Sequence, residues 1–175
     1  EAGIFDKKIT SVDVAYIIAP RLNAAGRIGD AAMTVELLTT DDEMKAKEIA
    51  SKLNEQNRER QRIETEIFGE VVSKIEKECH IKESKIMVVS GRDWHQGVIG
   101  IVASKVVEKY NKPCILISVS DGLGKGSGRS TEGINLFNAI TFCQDVLEKC
   151  GGHEMAVGLT IKEGKIDDFG KLINE

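Results

Sequence analysis

The sequence predicts an α/β fold: an N-terminal helical segment with one long connector helix, followed by a small α/β domain whose βαβ-containing central sheet is flanked by helices. Three observations lead there. Lys85-Ile-Met-Val-Val-Ser90 and Cys114-Ile-Leu-Ile-Ser-Val119 are short continuous apolar runs, the pattern of strands buried on both faces. Between them Val98, Ile99, Ile101, Val102, Val106 and Val107 recur at helical spacing as far as Tyr110 and Asn111, before Pro113, so the three segments read as one βαβ unit. From Asp41 to about Cys79 nothing stops a helix, which predicts a rod on the order of 60 Å at 1.5 Å per residue.

The remaining elements follow from local signals. Thr10 or Ser11 caps a short helix that runs through Ile18 and ends at Pro20, because the residue before proline is pushed out of the helical region. Asp30 caps a second short helix carrying Met33, Val35, Leu37 and Leu38. Thr40 or Asp41 caps the long one, with Asp41, Asp42 and Glu43 against the positive end of its dipole. Apolar residues keep helical spacing at Ala46, Ile49, Ala50 and Leu53 and again at Ile63, Ile67, Val71 and Ile75, while residues 54–62 are polar on every face. That pattern predicts a helix solvated in its middle and bridging two bodies. Beyond the βαβ unit, Leu136, Ile140, Cys143 and Leu147 mark an amphipathic helix stopped by Gly151-Gly152, Ala156 to Ile161 a strand, and Ile166 to Ile173 part of a last helix. The expected organisation is 1–40, 41–82 and 83–175.

Composition narrows the function classes. At 175 residues, 41% hydrophobic and 30% charged, the chain has the make-up of a folded globular protein of one domain, or of one domain plus a fragment of another. It begins Glu1-Ala2-Gly3 and stops within the apolar-periodic Phe169, Leu172, Ile173, so a piece of something longer is expected. No apolar run approaches the roughly 20 residues that span a bilayer, and a cytoplasmic protein with no membrane partner is predicted. Cys79, Cys114, Cys143 and Cys150 form no C-x-x-C, and three of them sit in apolar patterns, which predicts free buried thiols. The net charge of -4 excludes a uniformly basic coat but not a localised site. Residues 41–80 carry eight basic against eleven acidic side chains, whereas residues 85–131 carry seven basic against three acidic.

The basic side chains gather beside glycines. Arg21-Leu-Asn-Ala-Ala-Gly-Arg27 and Gly124-Lys-Gly-Ser-Gly-Arg-Ser130 exclude carboxylates, and both read as loops suited to a phosphate. In the second, Lys125 and Arg129 supply charge, Ser127 and Ser130 supply hydroxyl donors, and three glycines let the main chain approach an anion; the alternative is a surface turn. It does not fit the P-loop pattern. In the first, Arg21, Asn23 and Arg27 are the candidates, unless an arginine pairs with Asp30 or Glu36 to fix the turn. Trp94-His95 follows a strand and opens a helix, where His95 meets a phosphate or base or else caps the helix with Trp94 as an apolar anchor. Gly151-Gly152-His153 reads as a helix C-cap that leaves the histidine unexplained. Cys150, His153, His95 and His80 lack zinc spacing, and no metal ligand is assigned.

Taken together, residues 18–30, Asp93 to Ser104, 124–130 and Gly151-Gly-His153 resemble, in order, the RecJ family of single-strand-specific exonucleases in the DHH phosphoesterase superfamily. The resemblance is to the connector helix and the DHH-associated domain. It implies a 5′ to 3′ exonuclease of single-stranded DNA, of the repair and recombination class, in which a preceding DHH domain of the same polypeptide holds two Mn²⁺ or Mg²⁺ ions. It further implies that Ser127, Arg129 and an arginine of 21–27 receive the 5′ phosphate, that His95 and His153 line the cleft wall, and that this chain alone is inactive. A DHH-family phosphatase of small nucleotides or short oligonucleotides, or a non-catalytic interaction module, are the alternatives.

Overall fold

A computed structural model describes residues 3, 4 and 8–175, so the first residues of the 1–40 segment lie largely outside the described residues. The chain divides into two compact units, Glu1–Ile63 and Glu64–Glu175, with the boundary inside the long helix.

In the first unit, α1 (Ser11–Asp13), a π-helical turn (Val14–Ile18) and α2 (Ala19–Ile28) run on without a break. Thr10 caps the start in a reciprocal box with Asp13. The helix therefore does not end at Pro20. The Ala19 N–H reaches back five residues to the Val14 carbonyl, and this wider turn lets Pro20 sit in the first turn of α2, where its missing N–H costs nothing. Asp30 accepts from the Ala32 N–H at 2.9 Å and starts α3 (Ala32–Thr39). Leu22 and Ala25 of α2, Met33 and Leu37 of α3, and Ile49 and Leu53 of the long helix make a small apolar core.

The long helix is α4 (Glu43–Lys77), 35 residues or about 52 Å. Its cap is Asp42, which accepts from the N–H groups of Met44 and Lys45, one residue later than expected. Its middle is not solvated all round: Asn54, Asn57, Arg60 and Glu64 are buried on a stripe of helical period. The Arg60 guanidinium donates to Asn57 Oδ1 at 3.1 Å, and Lys105 pairs with Glu64. Polar residues were expected outside because burying them costs several kcal/mol unpaired; here they are partnered.

In the second unit, α5 (Cys79–Glu83) leads to β1 (Met87–Arg92), α6 (Gln96–Tyr110) and β2 (Cys114–Ser120). Parallel pairing of β1 with β2 makes the predicted βαβ unit, and Asn111 ends α6 in the left-handed region. The strands β3 (Leu123–Arg129), β4 (Lys149–His153) and β5 (Ala156–Lys162) complete a sheet of order β1-β2-β3-β5-β4, antiparallel after β2. α7 (Leu136–Phe142) and α8 (Ile166–Leu172) close the chain.

Strand alternation sorts the core into two layers. Ile115, Ile117, Val119, Val157, Leu159 and Ile161 pack on α7 and α8, while α6 buries Val98, Ile99, Val102, Ala103 and Val106 over the other face. The four cysteines are free, but Cys79 and Cys150 are exposed; Cys150 lies on the edge strand β4 rather than inside a helix. Burial pushes the Cys114 thiol well up and that of Cys143 to about 11.

Candidate functional site

The second glycine segment is not a loop. Asp121 and Gly122, both at positive φ, turn β2 back on β3 as a two-residue hairpin, and residues 124–129 form the strand between β2 and β5. Its glycines face the core rather than an anion. A Cβ on Gly124, Gly126 or Gly128 meets Ile117, Leu159 or Val157 at 2.7–2.8 Å, so the core side chains of β2 and β5 fill the space that side chains there would need.

Period-2 alternation then puts Lys125, Ser127 and Arg129 together on the opposite face, beside α6. Gly100 of α6 gives them room: a Cβ there meets Arg129 Nη2 at 2.9 Å and Ser127 Oγ at 3.0 Å. The Arg129 guanidinium donates to Ser127 Oγ at 3.2 Å and to the Gly128 carbonyl at 2.7 Å, which holds the fork beside the hydroxyl. Ladder partners extend the face across β5 and β4. Lys125 stands opposite Thr160 and Ser127 opposite Gly158; next to these come Lys149 and Gly151 of β4. No atom lies within 4 Å of a Cβ placed on Gly151, and a cleft of about 380 Å³ opens between Gln96 and Ile99 of α6 and these strands.

The Gly151-Gly152-His153 segment is a strand and not a helix cap. α7 stops at Phe142, followed by a 3-10 turn, and β4 runs antiparallel to β5. Gly152 sits at φ 142, and a Cβ on it collides with the Ala156 carbonyl oxygen, so the close hairpin accounts for this glycine. His153 is exposed on the same face as Lys149 and accepts from the Met155 N–H through Nδ1.

Three candidates are turned to structural work. Trp94 is buried: its indole N–H donates to Glu70 at 2.8 Å, the Lys74 ammonium lies 5.3 Å from the ring, and the ring fills the space a side chain at Gly91 would need. Ser130 is buried too, its hydroxyl donating to the Ile134 carbonyl at 2.7 Å. His95 caps α6, its Nδ1 accepting from the Gly97 N–H at 3.2 Å, and the residue stays half-exposed.

The first arginine segment is helical, in α2 of the other unit, and it pairs with neither Asp30 nor Glu36 through Arg21. Arg21 is half-buried and donates to Asn54 Oδ1 at 3.1 Å and to the Ile17 carbonyl at 2.6 Å. Asn23 and Arg27, one helical turn apart, are exposed. Lys149, Thr160, Gly158 and Gln96 were missed. The Asp-Gly hairpin signal ahead of the strand, with parity carried across two ladders, points to them.

Helices on both faces of a mixed five-stranded sheet, with a row of cationic and hydroxyl side chains on the part of the sheet beside α6, define an α/β domain with a polar, cationic strip on one sheet face. The chain belongs to the DHHA1 domain family, which matches residues 83–175. It is similar to the single-stranded-DNA-specific exonuclease RecJ of Bacillus subtilis, 38% identical over 93% of this chain and 21% of that protein, and to that of Escherichia coli, 35% identical over 97% of this chain and 31% of that protein. The crystal structure of RecJ in complex with Mn²⁺ from Thermus thermophilus superposes with a TM-score of 0.88 at 32% identity, covering 99% of this chain and 25% of that one. A Mg²⁺ complex of RecJ from the same organism gives 0.87 at 31%, covering 99% and 27%. The chain thus spans between a fifth and a third of these relatives.

Proposed function

We propose that this chain is the substrate-holding part of a 5′ to 3′ single-stranded-DNA exonuclease. The observation that carries the reading is the row Lys125, Ser127 and Arg129, lined up on one face of β3 by alternation and backed by a cleft with glycine in its floor. Arg129 offers a fork of N–H donors and Ser127 a hydroxyl to the terminal 5′ phosphate; Lys125, with Lys149 and Thr160, continues the grip along the backbone, and His95 and His153 stand at its margin. In the other unit Asn23 and Arg27 are exposed on α2 and are proposed, in their own right, as phosphate contacts, whereas Arg21 positions α2 on α4. Gly158 in the floor of the cleft, with Gly151 beside it on β4, leaves space for the sugar and base of a single strand.

Hydrolysis belongs to the rest of a longer polypeptide. Among the described residues no three of His, Cys, Asp and Glu gather as metal ligands, so the side chains here do not fit a two-metal centre. Metal-assisted phosphodiester cleavage would fall to a DHH domain of the same polypeptide, whose side chains would hold Mn²⁺ or Mg²⁺. This chain presents the end of the strand. Among the described residues no helix is long and apolar enough to cross a membrane, and a cytoplasmic setting accords with a DNA substrate.

Fluorescence anisotropy tests the reading. A 5′-phosphorylated oligonucleotide is expected to bind more tightly than its 5′-hydroxyl twin, with affinity falling as salt rises because phosphate contacts dominate. Equal binding that ignores salt points instead to an interaction module.

A further inference from the structure

A second cleft lies away from the β3 face, along the outer edge of the sheet, and has a volume of about 840 Å³. β1 is an edge strand. The Met87 N–H donates to the Pro113 carbonyl and the Asp93 N–H to the Val119 carbonyl, so the odd-numbered residues of β1 turn their main chain to β2. Ile86, Val88 and Ser90 therefore turn theirs outward, into the cleft.

Both ends of this edge are closed by side chains. Asn174 receives the Ile86 N–H on Oδ1 at 2.9 Å and gives Nδ2–H to the Ile86 carbonyl at 3.0 Å, imitating a neighbouring strand. At the other end the Lys74 ammonium donates to the Ser90 carbonyl at 2.7 Å. Between the closures the Val88 N–H, the Val88 carbonyl and the Ser90 N–H have no partner among the described residues. Ile81, Val89 and Ile166 give the cleft apolar walls. An open donor-acceptor-donor stretch in an apolar slot matches one ligand, the backbone of another extended chain.

Charge selects its type. Glu83 and Asp167 line the lip against Lys171; Glu78 lies 3.6 Å from His80, and Lys74 is engaged by Glu70 at 3.2 Å and by Ser90. A net acidic lip repels nucleic acid and attracts lysine and arginine. We propose that the β1 edge is a docking slot for an extended segment of a partner protein in which apolar residues alternate with lysine or arginine, added to the sheet as a sixth strand. Alternate apolar side chains enter the walls of the cleft and the intervening basic ones meet the lip.

The test is an amide-resolved NMR titration of this chain with a capped hexapeptide alternating valine and lysine. The Val88 and Ser90 amide signals are expected to shift and their hydrogen exchange to slow. A valine–glutamate hexapeptide, and the lysine peptide N-methylated at alternate amides, are expected to bind at least about tenfold more weakly. The double substitution Glu83→Lys with Asp167→Lys, both at exposed positions, is expected to reverse the charge preference. The proposal is overturned by equal binding of the glutamate or N-methylated peptide, by shifts that spare Val88 and Ser90, by an oligonucleotide that moves these two signals instead, or by no response to the lysine peptide at millimolar concentration.

Discussion

The two arginine-glycine segments, alike in composition, are built in opposite ways. Residues 21–27 lie in a helix, where a period of 3.6 turns Arg21 inward to Asn54 and leaves Asn23 and Arg27 outside. Residues 124–129 lie in a strand, where a period of 2 sends every glycine to the core and every polar side chain to one face. Glycine next to arginine therefore does not by itself mean a flexible phosphate loop. In β3 it means a strand over which the core side chains of its neighbours close, with the charged residues placed by parity.

The sharpest way to break this contrast is to give both segments a side chain. Gly128→Val drives methyl groups into Val157, Leu136 and Ile115, and overpacking at the centre of the sheet is expected to cost about 3 kcal/mol and lower Tm by about 10 °C. Gly26→Ala meets only the Ala31 Cβ at 3.7 Å and is expected to stabilise by about 0.5–1 kcal/mol. Thermal unfolding reads both, and a neutral Gly128→Val would mean that β3 is not packed as described.

Next comes the division of labour in α2. Arg21→Ala removes donors from the buried Asn54 side chain and the Ile17 carbonyl, with an expected loss of about 2 kcal/mol in urea unfolding. Arg27→Ala, at an exposed position, is expected to change stability by no more than about 0.5 kcal/mol while weakening oligonucleotide binding a few-fold. An exchange of these two outcomes would reverse the roles assigned to the arginines.

The smallest effect is a pH dependence outside both segments. Burial, helped by the Tyr110 hydroxyl donating to Glu76, raises the phenol from 10.0 to about 12. The folded state then holds a proton that the unfolded state has lost, so stability is expected to fall as pH rises from about 10 towards 12. Tyr110→Phe should flatten that decline in a pH series of denaturant melts.

Much of the second unit was legible because its signals are local. The apolar runs at 85–90 and 114–119 and the helical period between them are the parallel β1-α6-β2 unit, and the Ala156 to Ile161 run is β5. Lys149 to His153 and Gly124 to Arg129 carry almost no apolar side chains, so strand alternation had nothing to register; their pairing comes from partners distant in sequence. The helix through Pro20 was hidden because a π-turn absorbs the proline, an effect of backbone geometry rather than of residue type. The buried stripe of Asn54, Asn57, Arg60 and Glu64 runs against hydrophobic patterning and is sustained by partners, Arg60 for Asn57 within the stripe and Arg21 and Lys105 from outside it. Of the proposed site, Lys125, Ser127 and Arg129 stand out in the sequence as the charged and hydroxyl side chains of a carboxylate-free segment; that they share one face shows only once that segment is a strand. For Trp94 the structure favours the apolar-anchor alternative, and the burial of Ser130 on a backbone acceptor does not show in a local motif.

The central claim, that β3 presents a guanidinium and a hydroxyl to a terminal phosphate, is tested most directly by the phosphate preference of one variant. Anisotropy with 5′-phosphoryl and 5′-hydroxyl oligonucleotides is measured on the parent chain and on Arg129→Ala. The account predicts that the variant stays folded with a stability loss of no more than about 2 kcal/mol, loses about tenfold or more in affinity for the phosphorylated strand, and binds the two strands alike. A preference for the phosphorylated strand that survives the substitution undiminished would contradict it.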